Sequence, residues 1–187
     1  MRYPPSQTAK KHEKILKEAA RLFRERGFAG AGVAEIMRAA GLTHGAFYAH
    51  FASKEALEAE AVERAFEQSQ SRIYTLTADA RDPKQVFLDG YLSTAHRDHP
   101  GSGCVIAALG SEIARDSVTR KPFTQRVNQI IEEMSGLFRW KRKGAARASS
   151  IHLLAAAVGA LTLARAVDDP RLSDEILASV RDSLASL

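Results

Sequence analysis

The segment Val33–Leu57, VAEIMRAAGLTHGAFYAHFASKEAL, has the pattern of two short helices, a tight turn between them, and the start of a third helix. Apolar residues recur at helical spacing in the first part, and Gly41 follows where a left-handed residue would end that helix. In the second part Phe47 and Phe51 lie four residues apart and therefore share one face. The apolar residues of the first part are Val33, Ile36 and Ala40.

The other face of the second helix is small or polar. Its residues are Thr43, His44, Ala46, Tyr48 and His50. A helix this short is unstable alone in water, so it must pack on its neighbours, and its polar face then points outward. We therefore predict a helix-turn-helix that presents Thr43–His50 to the major groove of double-stranded DNA.

This segment resembles the recognition region of the TetR family of bacterial regulators. The matching positions are Gly41, Thr43, Gly45, Tyr48, His50, Phe51, Lys54 and Leu57. The resemblance is close over about the first third of the chain and otherwise extends only to its general organisation. It implies an all-α homodimer with a DNA-binding head and a ligand-binding body. Family members usually have Thr and Ser before the first short helix, where this chain has Ala31 and Gly32, so a capping hydroxyl is lost there.

The residue types of this segment suggest a role for each candidate contact. Thr43, His44 and Ala46 are predicted to face base edges, Ala46 beside a thymine methyl group. Gly45 permits a close backbone approach. Three further residues are predicted to contact phosphate, and they are Tyr48, His50 and Lys54.

Composition favours a soluble helical protein of the cytoplasm. The chain has 187 residues, of which 45% are hydrophobic, and a single cysteine, which excludes a framework of intramolecular disulfides. The N-terminus lacks the apolar segment of a signal peptide. The longest uncharged run, 148–164, is too short and mixed for a membrane span. We therefore expect no membrane association.

The net charge of +5 is unevenly distributed. Residues 1–56 hold ten Lys or Arg and five Asp or Glu, whereas the rest of the chain holds 17 of each sign. The excess positive charge therefore surrounds the predicted helix-turn-helix, where phosphates would attract it.

Periodicity and capping signals predict about nine helices and no strand. After a loose N-terminal arm, the predicted helices cover about 7–26, the two short helices, 54–78 behind the Ser53 cap, 83–96 behind the Asp82 cap, 104–115, 122–138, 149–167 and 173–184. The fall in basic content within the long helix places the domain boundary there. We predict a DNA-binding domain at 1–66 and a ligand-binding and dimerisation domain at 67–187.

The predicted helix at 149–167 is apolar on nearly every side and rich in small residues, including Gly159 and Ala160. Because a helix of that kind must be buried all round, a second copy of the chain is expected to cover it. The last helix contributes Ile176, Leu177, Val180 and Leu184. A homodimer through the last two helices is therefore predicted, although a central helix of a monomer has the same pattern.

The body offers candidate sites but no motif of an enzyme. A pocket for a small-molecule effector is predicted along Phe87, Tyr91, Leu92, Ile106, Leu109, Ile113, Val127 and Ile131, which could equally form plain core. Cys104 is a candidate redox or electrophile sensor at a helix start, although an isolated cysteine is more often buried filler. His96 and His99 could bind metal with Cys104, but the pattern is unspecific and we expect no metal or cofactor.

These observations predict a transcriptional regulator, most simply a repressor that a small molecule releases from an inverted-repeat operator. Phosphate-binding glycine loops, HExxH and nucleophile elbows are absent from the sequence, so we expect no enzyme. Two alternatives stay open. A helical small-molecule-binding or enzymatic module with a similar head would turn over a substrate, and an architectural protein would bind DNA without sequence preference.

Overall fold

The computed structural model describes residues 5–141 and 143–187, and it is helical throughout, with no strand in those residues. The α-helices are α1 (Pro5–Gly30), α2 (Val33–Ala39), α3 (Lys54–Thr77), α4 (Pro83–Tyr91), α5 (Thr94–Asp98), α6 (Val105–Ile113), α7 (Arg120–Leu137), α8 (Ala146–Ala166) and α9 (Pro170–Ala185). Three-residue turns of 3-10 helix cover Pro100–Ser102 and Lys143–Ala145, and a longer one covers His44–Ala49. The predicted all-α class is confirmed.

Two glycines at the ends of helical segments have left-handed backbone conformations. Gly27 has φ 74° and interrupts α1 before a last turn that ends at Gly30. Gly41 has φ 72° and follows α2, as its position after Ala40 predicted. Only glycine adopts this region without a steric penalty, so both chain reversals depend on residues that lack a Cβ atom.

The helix caps agree with the sequence in part. The Ser53 hydroxyl accepts a hydrogen bond of 3.2 Å from the backbone N–H of Ala56, and an Asp82 carboxylate oxygen caps α4 in the same way. Thr43 occupies the cap position of His44–Ala49, but its side chain makes no capping hydrogen bond. This helix therefore begins without a side-chain cap, and Thr43 stays exposed.

Several helix limits differ from the predicted ones. Helix α1 begins at Pro5 rather than near Gln7, and residues 1–4 of the predicted arm lie outside the described residues. Helix α4 ends at Tyr91, because Leu92 leaves helical geometry and the Ser93 hydroxyl caps a separate helix α5. Proline at the first helical position moves the start of α9 forward to Pro170.

The core has two parts. The head cluster joins the apolar faces of α1, α2, the His44–Ala49 helix and the first half of α3 to Val105, Leu109 and Ile113 of α6. The body cluster joins α4, α7, α8 and α9 around Leu88, Leu153 and other buried residues. Helix α6 therefore belongs to the body in sequence but packs into the core of the head.

Helix α8 has an inner face that is buried in the body and an outer face that is exposed. Leu153, Ala157, Ala160 and Leu161 are buried inside the chain, whereas Ile151 and Leu163 are 45% and 57% exposed. Ala160 of α8 and Leu177 and Leu184 of α9 were predicted at a dimer interface, and this is wrong because they fill the body's own core. Gly159 is half-buried, and a Cβ atom there would meet nothing within 4 Å.

With 21 residues and a mean hydropathy of 1.4 over its most apolar window, α8 is long and apolar enough to cross a membrane by length and composition alone. The expectation that this stretch is too short to span is therefore not supported by its length. A core helix of a soluble protein passes the same test, and the inner face of α8 is such a core.

Candidate functional site

The helix His44–Ala49 is held on the head by two aromatic side chains. Phe47 and Phe51 are 2% and 3% exposed, and their rings stack with centroids 5.7 Å apart. Around this anchor Thr43, His44 and Gly45 are exposed, and Tyr48 is 71% exposed. The segment therefore combines a rigid apolar base with an outward polar surface.

Ala46 and His50 lie deeper than the other candidate contacts. Ala46 is half-buried against the head cluster, so only part of its methyl group is available to a ligand. His50 is half-buried with its ring 6.0 Å from that of His12, which stacks on Phe51 at 4.5 Å. Burial, followed by the neighbouring charges of His12 and Lys11, lowers the pKa of His50. The imidazole of His50 is therefore uncharged at neutral pH.

Lys54 has partners inside the head. Its ammonium donates a hydrogen bond of 2.6 Å to the backbone carbonyl of Phe28 and lies 3.5 Å from a carboxylate oxygen of Glu58. The ammonium also lies 6.0 Å from the centre of the Phe23 ring. The side chain of Lys54 therefore ties α3 to the last turn of α1, and its predicted phosphate contact stays a prediction.

Exposed lysines extend the positive surface along α1. Lys10, Lys14 and Lys17 are exposed on this helix. The basic connector at 139–143 is a second positive segment, and its Arg142 lies outside the described residues. The positive charge identified in the sequence is thus at the surface of α1, where it can attract phosphates.

A cavity of about 110 Å³ lies in the body between α3, α4, α6, α7 and α8. Its walls are mostly apolar, and it shares Phe66, Ser69, Ile73, Ile130 and Met134 with an adjoining cleft of about 350 Å³ between α3 and α7. Small-molecule sites are typically concave, apolar and equipped with a few polar groups. This cavity is the candidate effector site.

Only part of the predicted pocket lines this cavity. Phe87, Tyr91 and Ile106 are in its wall. Leu109 and Ile113 belong to the head cluster, while Leu92, Val127 and Ile131 pack in or against the body cluster, so their assignment to the pocket is wrong. The wall residues of α3 were not predicted, because their spacing is equally typical of core. Those residues are Phe66, Ser69, Arg72, Ile73, Leu76 and Thr77.

His96 organises the polar end of the cavity. Its Nδ1 bonds the carbonyl of Tyr91 at 2.7 Å, and its Nε2 accepts a hydrogen bond of 3.0 Å from the backbone N–H of Cys104. Both ring nitrogens are therefore occupied. No group of three or more metal-binding side chains occurs in the described residues, and His99 bonds the carbonyl of Ala95. The structure therefore gives no support to a metal site at His96, His99 and Cys104.

Cys104 and Tyr91 complete this end of the cavity. Cys104 is half-buried at the cap position of α6, and its role as a redox or electrophile sensor stays a prediction. The hydroxyl of Tyr91 is buried and has no hydrogen-bond partner in the described residues. Burial, followed by the neighbouring Cys104 thiol, raises the pKa of Tyr91 well above its usual range. Tyr91 is therefore a protonated, unused donor.

The loop before Cys104 is fixed to the head through Arg24. This side chain is only 6% exposed and donates to the carbonyl of Gly101 through Nε at 2.9 Å and through Nη2 at 2.5 Å. Nη2 also donates to Gln68 of α3 at 3.1 Å. Burial lowers the pKa of Arg24 to about 10, so the guanidinium stays charged. One buried cation thus connects α1, α3 and the wall of the cavity.

The other end of α6 is also connected to the head. Glu112, a carboxylate with no partner identifiable in the sequence, accepts a hydrogen bond of 2.8 Å from the backbone N–H of Phe28. A Cβ atom on Gly27 would overlap the same carboxylate. Because Cys104, the cap residue of α6, lies in the cavity wall, α6 connects that cavity directly to the last turn of α1.

Comparisons with known proteins agree with this architecture. The profile described as "Bacterial regulatory proteins, tetR family" matches residues 15–61. The HTH-type transcriptional repressor DhaR of Mycobacterium sp. (strain GP1) is 31% identical over 54% of this chain and 50% of its own length. An uncharacterized HTH-type transcriptional regulator of Bacillus subtilis, YerO, is 39% identical over 66% of this chain and 44% of its own. The chain thus spans about half the length of these curated relatives.

The whole fold is also found among solved structures. A TetR transcriptional regulator from Chloroflexus aurantiacus superposes with a TM-score of 0.79 at 25% identity, covering 97% of this chain and 95% of that one. These relatives and structural neighbours are transcriptional regulators rather than enzymes. The head thus matches the TetR family over residues 15–61, and the whole chain has the fold of TetR-family transcriptional regulators.

Proposed function

We propose that this chain represses transcription by occupying an inverted-repeat operator as a homodimer, and that it leaves the DNA when a small molecule enters the cavity of the body. The helix His44–Ala49, which exposes polar groups above the buried Phe47 and Phe51, is the observation that carries the proposal. A short helix supported in this way has the geometry of the recognition element of a helix-turn-helix.

The side chains of this element divide into two roles. His44 and Thr43 are exposed and hydrogen-bonding, so they are proposed to read base edges, with Gly45 allowing close approach and Ala46 offering part of its methyl group. Tyr48 and His50 are proposed to contact phosphates, together with the exposed lysines of α1. Lys54 is proposed to act indirectly, by holding the turn that supports them.

The proposed dimer covers the outer face of α8 and α9. Ile151, Leu163 and Leu172 are each more than 40% exposed on these two helices, and Gly159 lies between the first two. Exposed apolar groups concentrated on adjacent helices are typical of an interaction surface. In a two-fold symmetric dimer, the same surface of a second copy covers this face. Such a dimer would present two recognition helices to two half-sites.

The proposed release uses the contacts at both ends of α6. A ligand in the cavity touches the wall at Cys104 and Ile106, and the loop before Cys104 is bonded to Arg24 of the head. At the other end of α6, Glu112 accepts a hydrogen bond from Phe28 in the last turn of α1. Ligand binding reduces DNA affinity only if the ligand prefers the arrangement of heads that does not fit the operator.

The remaining assignments follow from this function. We place the DNA-binding domain at 1–66 and the ligand-binding and dimerisation domain at 67–187, with α3 continuous across the boundary. The proposed location is the cytoplasm, where the DNA is.

Selection of bound DNA from a random library tests the proposal. The enriched sites should contain an inverted repeat, and operator affinity should fall by orders of magnitude when salt is raised from about 50 to 200 mM, because phosphate contacts release counterions. Binding without enrichment of any sequence would instead support an architectural protein. Affinity that does not change with salt would contradict a phosphate interface.

One substitution tests the reading role directly. His44→Ala should relax the preference at one base pair per half-site at a cost of roughly 1–3 kcal/mol, leaving random DNA almost unaffected. His99→Ala is the matched control, because His99 is exposed in the body, far in sequence from the head. Equal losses on operator and random DNA would remove His44 from the base-reading residues.

A further inference from the structure

The polar groups that line the cavity are nearly all occupied. The hydroxyls of Ser69, Thr77 and Ser102 donate to the carbonyls of Ala65, Ile73 and His99 at 3.0, 2.8 and 3.3 Å. Both nitrogens of His96 are occupied as described above. Among the described side chains that line the cavity, the guanidinium of Arg72 at the exposed rim, the hydroxyl of Tyr91 and the thiol of Cys104 are the donors left, and a thiol is a weak donor.

The buried hydroxyl of Tyr91 therefore lowers the stability of the folded chain unless a ligand accepts its hydrogen bond. A buried polar group without a partner loses the hydrogen bonds that it made to water in the unfolded chain. The neighbouring sulfur of Cys104 is only a weak acceptor and does not replace them. The phenol needs a good acceptor on whatever fills the cavity.

Charge in the cavity wall is limited to its rim. Arg72 is the one charged residue among the described lining residues, and its side chain is exposed. Arg165 lies behind the wall and is bonded to the carbonyls of Arg97 and His96 at 3.0 and 2.7 Å. An ionised ligand would therefore lose its hydration without a charged side chain to contact in the buried part of the described wall, which is strongly unfavourable.

We infer that the cavity takes a neutral, mostly apolar molecule of about one ring, with a single hydrogen-bond acceptor such as a carbonyl oxygen that receives the hydroxyl of Tyr91. The size follows from the cavity volume of about 110 Å³. Benzene occupies a dry apolar cavity of roughly 150 Å³, somewhat larger than this one, so one ring is the upper limit for the cavity itself. Substituents can extend into the adjoining cleft between α3 and α7. This inference rests on the proposed function and specifies the class of its effector.

Three probes of similar shape test the class on the full-length chain by calorimetry. Acetophenone carries the acceptor, ethylbenzene lacks it, and benzoate replaces it with a charge. Acetophenone should bind about five- to tenfold more tightly than ethylbenzene, as expected for one neutral hydrogen bond. Benzoate should bind more weakly than acetophenone. Absence of acetophenone binding, equal affinity for ethylbenzene, or tighter binding of benzoate would each overturn the inference.

Tyr91→Phe assigns the selectivity to one hydroxyl. This variant should bind acetophenone about five- to tenfold more weakly than the original chain, whereas ethylbenzene should bind equally well. Its fold is expected to survive, because the hydroxyl removed has no partner. Tyr74→Phe is the matched control, since Tyr74 is 50% exposed and lines the adjoining cleft only. Unchanged acetophenone binding by Tyr91→Phe would contradict the inference.

Operator binding, followed by fluorescence anisotropy, separates this inference from the proposed function. If acetophenone binds with the expected selectivity but leaves operator affinity unchanged, the ligand class stands and the proposed release mechanism fails. If the chain binds its operator but acetophenone does not bind, the ligand class fails and the DNA-binding proposal stands.

Discussion

The head and the body differ in how completely they bury their apolar side chains within one chain. In the head, the large apolar side chains of α1, α2 and the His44–Ala49 helix meet in one cluster, and Tyr48 is the large hydrophobic side chain left exposed among its described residues. In the body, α8 and α9 leave Ile151, Leu163 and Leu172 exposed, and a cavity remains between the helices. The head is thus complete within one chain, whereas the body has an unfilled cavity and an uncovered face.

This difference indicates where each region's partners bind. A complete core fixes the recognition helix, so the head can offer preorganised groups to DNA with little rearrangement. An incompletely packed body gains stability from whatever fills its cavity or covers its face, because such binding buries apolar surface. The contacts of Arg24 and Glu112 join the two regions. A change at the turn around Gly27, which Glu112 contacts, should therefore affect stability most.

The largest predicted effect concerns the turn at Gly27. Gly27→Ala should cost about 2–5 kcal/mol in the free energy of unfolding, from the left-handed φ and from overlap with Glu112. Gly41→Ala is the matched control, because Gly41 has nearly the same φ but no atom within 4 Å of the added Cβ. It should cost only about 1–2 kcal/mol. Chemical denaturation measures the free energy of unfolding of both variants. Equal losses would show that the contact with Glu112 adds nothing to the cost of a side chain at Gly27.

The uncovered face of the body gives the next effect. A Cβ at Gly159 meets nothing within 4 Å inside the chain, so Gly159→Leu should stabilise a monomer by somewhat under 1 kcal/mol through helix propensity. At a close interface the same change should instead weaken the dimer by about 1–3 kcal/mol through overpacking. We expect sedimentation to show dissociation and operator binding to fall, while helical circular dichroism persists.

The matched control for Gly159 is Gly136, a glycine near the end of α7 with equally open surroundings. Gly136→Leu should leave the association state unchanged, because α7 is outside the proposed interface. A fully dimeric Gly159→Leu chain with intact operator binding would remove the outer face of α8 from that interface.

The parts of the molecule that could be predicted from the sequence are those determined by neighbouring residues. Gly41, Phe47 and Phe51 act within one short segment, so their spacing alone indicates the turn and the buried face. The caps at Ser53 and Asp82 are local in the same sense, and the structure contains both. The local pattern also predicted α3 as one long helix, which its limits at Lys54 and Thr77 confirm.

The cavity could not be predicted in this way, because it is the space that remains between helices. Leu109 and Phe87 both have the spacing of a buried helix face, yet the first packs into the head and only the second lines the cavity. Lys54 and Glu112 both bond the backbone of Phe28, which is 26 and 84 residues away from them in the chain, so no local pattern contains these two contacts. The orientation of α8 likewise depends on which of its apolar sides meets the body core.

A smaller effect is expected at Lys54. Lys54→Met keeps the apolar stem but removes the hydrogen bond to Phe28, and should lower the free energy of unfolding by about 1.5 kcal/mol. The number of phosphate contacts, measured from the salt dependence of DNA binding, should stay unchanged. A salt slope flattened by about one unit with unaltered stability would instead favour a phosphate contact. Lys14→Met, at an exposed position of α1, is the matched control. It should flatten the salt slope by about one unit and leave the free energy of unfolding unaltered.

The smallest predicted effect is a pH dependence that also differs between the two regions. Burial, partly opposed by the hydrogen bond to the carbonyl of Tyr91 and reinforced by Arg165 and Arg72, lowers the pKa of His96 in the folded body. The unfolded chain then binds more protons than the folded chain once the pH falls below about 6.5. The free energy of unfolding should therefore be constant above that pH and decrease below it, by at most about 1.4 kcal/mol for each pH unit.

His50 in the head provides the comparison for this pH dependence. Its pKa is lowered in the same direction, but its ring is closer to solvent, so its contribution should be smaller. We expect His96→Gln to remove more of the stability difference between about pH 7.5 and pH 5.5 than His50→Gln removes. The difference between the two pH values is the useful quantity, because either variant can also change stability at every pH. If His96→Gln keeps the full acid dependence of stability, the buried imidazole of the body is not its source. The imidazole of His50 in the head then becomes the better explanation.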